Sequence, residues 1–477
     1  MKNIEREILL DSELFGNDAG EDEDIERLND YFLIKPQHKE FFMKSRKLSF
    51  VRARKGVGKS ALLCYTASKV EKEYPNDIVI NIRASELVSI LGEKTNASYG
   101  YEIMWQQRIC SRINNEIGKR IKIAVSDDSM SIVETSEITG FKGKNIIRAL
   151  LDRIKNKSGN IEIKESTIVN DYEILKRYRD SKVKDTVWLL VDDIDATFID
   201  SPENRLLIST FFSACRSLTQ SIKELNIRAS IRTDVWSMIC NDEAMDKCEQ
   251  YIIDLKWSTK DTGDILKNKI KTYFRENHEV VSYVKNKSDV IENIFINNFR
   301  WGHLHVTPYQ VIHIFSAGRP RWAAQLCRIA AKDAYNKKSP FLGFGNITYA
   351  MAEYGRFRLS DLQKEHDHQC NRLAEIVESF RNKSKEYRLS QLRKHVEDNI
   401  LNVLSDIQID NVKISQPIDI VKFLYRIGFI TLRNDEYDNA RGFTRFEDAP
   451  DLLGPTNTNE EDLWIIHPAY RNILGLK

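Results

Sequence analysis

The stretch LSFVRARKGVGKSALL, residues 48–63, carries the pattern on which the fold depends. Its opening residues, 48–51, are mostly apolar and favour a short buried strand. A glycine-bearing turn follows, and after it Leu62, Leu63 and Val70 recur at helical spacing. The stretch therefore predicts a strand, a turn and a helix in direct succession.

The turn, residues 53–60, has the composition of a phosphate-binding loop. Small residues let backbone N–H groups approach phosphate oxygens, a lysine neutralises charge, and a hydroxyl at the helix start can bind Mg²⁺. Ala53 replaces the usual first glycine, which constrains the turn without removing the lysine. A chance Gly-Lys-Ser turn is the alternative, and the strand and helix around the turn argue against it. We expect ATP to be bound by Ala53, Arg54, Lys55, Gly56, Val57, Gly58, Lys59, Ser60 and Cys64, with Lys59 catalytic and Ser60 on the metal.

A second motif is the apolar run 187–191, which ends at Asp192 and Asp193. Such a run is typical of a strand buried on both faces of a parallel sheet. We expect this strand to lie beside the one that leads into the loop, with Asp192 holding Mg²⁺ and Asp193 orienting the attacking water. Asp in place of the commoner Glu shortens the reach, which indicates slow turnover. The alternative is that these residues and Asp195 only form a strand-end turn.

Arginines at two further places are candidates for contact with the γ-phosphate. Arg232 follows strand 226–231, which we expect beside the strand that ends at Asp192. It could contact the phosphate, or it could pair with an acidic neighbour as a structural cation. Arg319 and Arg321 stand at the start of a helix, where an arginine can bridge from a lid to the phosphate. The sequence does not choose between these two, and a solvated arginine is the alternative.

Composition excludes several classes of protein. The chain has 477 residues, 42% of them hydrophobic and 30% charged, and its formal net charge is +2. It is long enough for two or three domains, and its charge balance calls for neither nucleic acid nor membrane as a partner. The seven cysteines are scattered without a C-x-x-C pair, which favours reduced thiols. With no cleavable apolar leader and no membrane-length apolar run, we expect a cytoplasmic protein.

The order of the predicted elements indicates an α/β nucleotide-binding domain with parts on either side of it. The acidic stretch 18–26 is interpreted as a solvated helix face. In the tail, apolar residues recur at helical spacing in two segments before Gly428, and Gly428 is a candidate for the residue that ends the second helix. Residues 429–432 and 463–466 favour an antiparallel ribbon. This is the order of a winged helix. The predicted parts are an acidic and helical lead-in (1–40), an ATPase core (41–250) with a helical insert (about 86–185), a helical lid (251–355) and a winged-helix-like domain (356–477).

In these motifs the chain resembles bacterial P-loop ATPases related to the STAND and ORC/Cdc6-like branches of the AAA+ proteins. The matching segments are 14–17, 54–60, 191–195, 231–234, 255–257, 318–321 and 466–470. The resemblance implies an α/β P-loop NTPase fold with a lid and a winged-helix-like domain, ATP and Mg²⁺ as ligands, and a homo-oligomer controlled by nucleotide. It places Arg232 at the sensor-1 region and Arg319 or Arg321 at the sensor-2 region. Ala53 and the long insert depart from the pattern.

Three functions follow as hypotheses. Relatives implied by the resemblance are frequently associated with anti-phage defence, so the first is an ATPase switch or scaffold with a separate effector protein. The second is a DNA-binding initiator or loader, although helix 418–427 has only Lys422 and Arg426 as cations and Arg441 and Arg445 lie among acidic residues. The third is a nucleotide-binding structural subunit that does not hydrolyse ATP.

Overall fold

The structure is a computed structural model that describes most of the chain. The described residues are 8–11, 13–88, 98–120, 129–130, 132–133, 136, 170–181, 185–277, 290–434, 442–454 and 457–477. Much of the predicted insert 86–185 therefore lies outside them, and so does Arg441. No helix of the described part is long and apolar enough to cross a membrane.

A five-stranded parallel sheet forms the centre of the core. Its strands are β1 (Leu48–Arg52), β2 (Ile78–Arg83), β3 (Val187–Asp192), β4 (Leu225–Ile231) and β5 (Ile252–Asp254). Their order across the sheet is β2-β3-β4-β1-β5, and every pairing is parallel. β1, β3 and β4 agree with the predicted strands, whereas the three-residue β5 was missed because so short a run has no readable period.

The strand order corrects one prediction. β4 lies between β1 and β3, so the strand that ends in the aspartates is not beside the strand that leads into the loop. The expected pairing of β3 with β4 is confirmed. Both β3 and β4 are buried almost throughout, so their apolar patterns are alike and do not show which of them is next to β1.

Helices cover both faces of this sheet. They are α1 (Ile25–Tyr31), α2 (Lys39–Phe42), α3 (Lys59–Glu73), α4 (Ser85–Val88), α5 (Ser98–Arg120), α6 (Asp171–Asp180), α7 (Pro202–Ser221) and α8 (Thr233–Ile239). One apolar cluster joins the sheet to α5 and α7 through residues such as Trp105 and Phe211. A second cluster joins the other face to α2 and α3 through Phe41, Leu62 and Leu63. This arrangement holds α3 and the loop before it against the carboxyl end of β1.

A helical region follows β5 and packs with the beginning of the chain. Its elements are α9 (Thr259–Glu276), the hairpin β6 (Phe299–Trp301) and β7 (Leu304–Val306), α10 (Pro308–Phe315), α11 (Pro320–Asn336) and α12 (Phe344–His366). The hairpin was not predicted. Leu14 and Phe15 are buried in the apolar cluster of this region, so the beginning of the chain is part of the same core.

The C-terminal region has a winged-helix-like order of elements. These are α13 (Leu373–Glu378), β8 (Glu386–Arg388), α14 (Leu389–Val396), β9 (Gln408–Ile409), β10 (Val412–Lys413), α15 (Pro417–Arg426), β11 (Ile430–Asn434), β12 (Gly442–Thr444), β13 (Leu463–Ile466) and α16 (Pro468–Arg471). The predicted antiparallel ribbon is confirmed as β11 with β13, inside a sheet of order β12-β11-β13-β8. The predicted cap is confirmed as well, because Gly428 has φ 76° and its N–H donates to the carbonyl of Tyr425. Sequence reading missed β8 and α14.

Candidate nucleotide site

The loop between β1 and α3 needs glycine at two positions. Gly56 has φ 79° and Gly58, the N-cap of α3, has φ 112°. Both values lie in the left-handed region, which side chains with a Cβ rarely adopt. A Cβ at Gly58 would meet no atom within 4 Å, so backbone conformation and not crowding requires the glycine there. The two glycines thus set the shape of the loop at the positive end of α3, where anions bind.

Neighbouring elements hold the loop from outside. The N–H of Ala53 donates to the carbonyl of Ile231 at the end of β4, at 3.2 Å. The carbonyl of Gly56 accepts from the N–H of Arg321 at 3.3 Å, and the carbonyl of Val57 accepts from the indole Nε1 of Trp257 at 2.8 Å. The loop is therefore anchored by the sheet, by the segment after β5 and by α11.

Lys59 closes the loop from within. Its side chain is buried, and Nζ donates to the carbonyl of Ala53 at 3.1 Å. Lys59 and Ser60 both line one pocket of the described structure, which is also lined by Asp193. A cation and a hydroxyl thus lie at the start of α3, where the phosphates and metal of a nucleotide would be placed.

The two aspartates lie at the end of β3. Oδ1 of Asp192 accepts the hydroxyl of Ser230, on β4, and the N–H of Asp193 at 3.0 Å. Asp193 has φ 57°, an uncommon conformation that brings its carboxylate to the pocket wall. Burial and the neighbouring Asp192 raise the pKa of Asp193, and Lys59 acts in the opposite direction. Asp193 is therefore a stronger proton acceptor than an ordinary aspartate, in a pocket shared with Lys59.

Ser230 was missed by sequence reasoning. It matters because its hydroxyl fixes the rotamer of Asp192. Only the pairing of β4 with β3 places it there, and the sequence offers no sign of this beyond a polar residue near a strand end.

The walls of the pocket come from distant parts of the chain. Its lining residues are Asn17, Asp18, Gly20, Glu21, Leu28, Tyr31, Phe32, Leu33, Lys55, Gly56, Val57, Gly58, Lys59, Ser60, Ala61, Asp193, Trp257, Ile265, Lys269, Pro320 and Arg321. One end is built by the loop, and the other by apolar and aromatic side chains. A concave site with a few convergent polar groups and an apolar wall suits a ligand that joins a flat ring to phosphates.

Lys269 is a buried cation in this wall. Its Nζ lies 4.9 Å from the centre of the Tyr31 ring and 3.5 Å from the carbonyl oxygen of Asn17. Burial lowers the pKa of Lys269 to about 8, although the nearby Glu23 raises it. Sequence reasoning missed this group, since α9 and the beginning of the chain meet only in the folded molecule.

Three of the predicted nucleotide-binding residues lie outside the pocket lining. Ala53 and Arg54 line a second cleft, shared with the C-terminal region, and Ala53 contributes its carbonyl to Lys59. Cys64 is half-buried, one turn beyond Ala61 on α3. Burial raises the pKa of the Cys64 thiol, and so do the nearby carboxylates of Glu21 and Asp192.

The two arginines of segment 318–321 occupy different sites. Arg321 lines the pocket, where Nε donates to the carbonyl of Asp18 at 3.2 Å and Nη2 lies 3.4 Å from Oε1 of Glu21. Arg319 is buried, and its guanidinium lies 4.0 Å from the centre of the Trp322 ring. Burial and the neighbouring Arg54 lower the pKa of Arg319. Of the two, only Arg321 faces the space where a phosphate would be bound.

The acidic stretch 18–26 is solvated in part, as predicted, since Glu21, Asp22, Asp24 and Glu26 are exposed, but two of its carboxylates have partners in the fold. Asp18 accepts from Nε2 of Gln325 at 2.6 Å and forms an ion pair with Arg328. Glu23 is buried and accepts from the N–H of Asn17 at 2.9 Å. The prediction therefore fails only for Asp18 and Glu23, and the partners of Asp18 lie hundreds of positions away in the sequence.

Arg232 belongs to a buried ion-pair network and not to the pocket wall. Its guanidinium lies 2.5 Å from Oδ2 of Asp234 and 3.7 Å from Oε1 of Glu365, and its N–H donates to Asp195. Burial alone lowers the pKa of Arg232, but these three carboxylates more than offset it, so the pKa lies above its usual value. Of the two alternatives for this arginine, the structure matches the structural cation.

The comparisons with known proteins report similar folds at low identity. No protein-family model matches the chain, and no curated protein matches it by sequence. Among solved structures, the ORC2 protein of Aeropyrum pernix in ADPNP–ADP complexes is 12% identical with TM-score 0.39, covering 94% of this chain and 97% of that one. Drosophila ORC bound to DNA is 11% identical with TM-score 0.33, covering 94% and 89%. Cdc6p of Pyrobaculum aerophilum is 10% identical with TM-score 0.31, covering 87% and 91%.

The class of protein follows from the fold and the site of this chain. A parallel sheet with helices on both faces carries a phosphate loop at the start of α3, and a helical region and a C-terminal region follow it. The protein has an α/β P-loop NTPase fold.

Proposed function

We propose that this protein binds ATP with Mg²⁺ in the pocket at the start of α3 and hydrolyses it. The observation that carries the proposal is that one pocket is lined by the phosphate loop, Lys59, Ser60 and Asp193. Phosphoryl transfer depends mainly on positioning and on neutralising charge, and these residues supply both.

The chemistry of two residues fits a magnesium ion, although of the two only Ser60 lines the pocket, and Asp192 lies next to Asp193 in its wall. Mg²⁺ prefers hard oxygen ligands, and the hydroxyl of Ser60 and the carboxylate of Asp192 are of this kind. Both hydrogen bonds to Asp192 end on Oδ1, so they orient the carboxylate without occupying Oδ2. Ser60 and Asp192 would hold the ion, which supplies charge neutralisation at the β- and γ-phosphate oxygens when bound.

The chain's own groups then have distinct roles. Loop N–H groups and Lys59 bind the phosphates. Lys59 then donates to a phosphate oxygen in place of the carbonyl of Ala53. Asp193 orients the attacking water and accepts its proton, a role favoured by its raised pKa. Arg321 binds the γ-phosphate in place of Glu21, its present partner. Arg319 and Arg232, which lie outside the pocket lining, support the surrounding structure.

We further propose that the nucleotide controls shape or assembly. The pocket is built by the beginning of the chain, the loop, the segment after β5 and the start of α11, so a ligand bound there links four separate regions. A homo-oligomer that forms with ATP would follow. The anti-phage role and the separate effector stay predictions from the resemblance alone.

Nucleotide binding and phosphate release test the proposal. Lys59→Ala should weaken ATP binding by about tenfold or more, since it removes the cation at the phosphates. Lys72→Ala is the matched control, because Lys72 is an exposed lysine in the last turn of the same helix. Asp193→Asn should bind ATP normally and release phosphate at least about a hundredfold more slowly, since general base catalysis is lost.

Several results would contradict the proposal. A folded wild-type protein that ignores ATP would end it. Wild type and Asp193→Asn releasing phosphate at the same background rate would favour the non-hydrolysing structural subunit instead. For the switch, mass measured by light scattering should change with ATP in wild type and not in Lys59→Ala, and an unchanged wild-type mass and shape would refute that part.

The contacts of the C-terminal region bear on the DNA-binding alternative. Nη2 of Arg426 lies 2.6 Å from Oδ2 of Asp410, and Nη1 of Arg445 donates to the carbonyl of Ala317 at 2.9 Å. These cations have partners within the chain, so binding of DNA phosphates would have to displace those contacts. We therefore place the ATPase first, and salt-dependent DNA binding that Arg445→Ala weakens would favour the alternative.

A further inference from the structure

Arg54, the second residue of the phosphate loop, is turned away from the nucleotide pocket. It lies in the cleft between the core, the segment that joins α10 to α11, and the C-terminal region, and it is only 7% exposed. Its Nη2 donates to the carbonyl of Arg426 at 2.8 Å, and its Nε lies 2.7 Å from Oε2 of Glu447. The guanidinium carbon is 5.8 Å from the centre of the Phe446 ring. A residue of the loop is thus bound on three sides by the C-terminal region.

The end of α15 is shaped to admit this side chain. Gly428, the residue that ends the helix, has φ 76°, and a Cβ there would lie 2.7 Å from Nη1 of Arg54. No side chain at position 428 would leave Arg54 where it is. Backbone conformation requires glycine at this position, and any side chain there would also displace the guanidinium of Arg54.

The charge of Glu447 is held by several cations. Burial alone raises the pKa of Glu447, but Arg54, Arg445 and Arg319 more than offset it, so the pKa lies below its usual value. The carboxylate is therefore ionised at neutral pH and paired in a mostly buried site. Removing one partner of such a pair leaves the other charge uncompensated, which makes the contact costly to break.

We propose that Glu447 is a positioning residue for the nucleotide site, which acts by holding Arg54 and with it the phosphate loop in the shape that binds nucleotide. The proposal rests on the proposed binding of ATP. Ala53, Gly56 and Val57 on either side of Arg54 are already anchored by backbone contacts, so this contact completes the anchoring of the loop. A loop ordered before the ligand arrives binds it more tightly, because less conformational entropy is lost on binding.

Linkage makes the effect reciprocal. If the docked C-terminal region favours nucleotide binding, nucleotide must favour the docked C-terminal region by the same factor. ATP would then tighten the contact around residues 446–448 and not release it. This direction is the distinctive consequence of the proposal.

A second ion pair across the same cleft provides a matched control. Nζ of Lys256 lies 3.2 Å from Oδ1 of Asp448, the residue directly after Glu447. Both side chains are about half-exposed, at 48% and 46%, and Lys256 is not part of the loop. Asp448→Asn therefore removes a contact between the same two regions without freeing Arg54.

The experiment measures dissociation constants for ADPNP and ADP, each with Mg²⁺, in the full chain. Glu447→Gln should weaken binding by roughly five- to thirtyfold, the range that corresponds to ordering one backbone residue. Asp448→Asn should stay within about twofold of wild type, since exposed pairs contribute little. Arg54→Met should match Glu447→Gln, and the double variant should be no weaker than either single variant, which shows that both act through one contact.

Two further readouts separate positioning from general damage. Arg54→Lys keeps a cation for Glu447 and should restore part of the affinity lost in Arg54→Met, even if thermal stability is the same in both. Hydrogen exchange at residues 446–448 should slow when ADPNP binds to wild type, and should not respond in Glu447→Gln. If Glu447→Gln does not fold, the comparison of Arg54→Met with Arg54→Lys decides in its place.

The outcomes distinguish this inference from the proposed function. Wild type that binds no nucleotide overturns the proposed function and this inference with it. Wild type that binds, with Glu447→Gln and Arg54→Met binding as tightly or more tightly, overturns only the role of Glu447. Faster exchange at residues 446–448 on ADPNP binding would show that nucleotide releases the C-terminal region, and would also overturn it.

Discussion

Replacement of Trp257 by phenylalanine tests whether the loop is held in shape by its outside contacts. Trp257 lies in the pocket wall with 8% of its surface exposed, and its Nε1 donates to the carbonyl of Val57 at 2.8 Å. Its ring also lies edge-on to His38, with 5.6 Å between ring centres. Trp257→Phe keeps an aromatic ring in the wall and removes the indole N–H that donates to the Val57 carbonyl.

The magnitude follows from two costs. A buried carbonyl left without a donor lowers the free energy of unfolding by about 1–3 kcal/mol. The peptide of Val57 also becomes more mobile in the variant. Ordering it again costs roughly 1–2 kcal/mol of the binding free energy of the nucleotide. We therefore expect the dissociation constant for ADPNP to rise about five- to thirtyfold, measured by calorimetry in the presence of Mg²⁺.

Trp188→Phe is the matched control for this variant. Trp188 is fully buried in β3, and its Nε1 donates to Oδ2 of Asp77 at 3.1 Å, outside the lining of the nucleotide pocket. Trp188→Phe loses an indole donor and ring volume, as Trp257→Phe does, so the thermal stability of both variants should fall. Nucleotide affinity should fall only in Trp257→Phe. Equal affinities in the two variants, with wild type binding normally, would refute the role assigned to the outside contacts.

Two further predictions concern stability. Arg228 is fully buried and donates five hydrogen bonds to carbonyls, four of them in the segment before β1. Arg228→Lys should lower the free energy of unfolding by roughly 3–6 kcal/mol, because a lysine has three donors and at least two of these charge-assisted hydrogen bonds are lost; a loss below about 1 kcal/mol in denaturant titrations would contradict this. His38, His366 and His395 each have a pKa lowered to about 4 by burial. A lowered pKa means that the neutral form is favoured in the folded state, so stability is fully present above the ordinary value of 6.5 and is lost as pH falls towards 4. At pH 5 each has lost about 2 kcal/mol, and denaturation midpoints equal at pH 7 and pH 5 would contradict the expectation.

Much of the fold and part of the site could be predicted because the decisive features are local. The strand, loop and helix of residues 48–63 lie within one short segment, where spacing alone indicates their order. The run that ends at Asp192 and Asp193 is equally local. Short elements, among them β5 and the hairpin of β6 and β7, were not predicted, because three residues are too few to show a period.

The sequence by itself determined that a phosphate loop exists, which lysine it carries, and that an aspartate pair ends a buried strand. Only the tertiary structure decided that β4 separates β1 from β3, that Arg321 and not Arg319 reaches the pocket, and that Arg54 is bound by the C-terminal region. The physical reason is that local propensity and periodicity act over a few residues. The partners of an arginine depend instead on which surfaces meet when several apolar cores pack together. Those surfaces bring together residues that are hundreds of positions apart in the sequence.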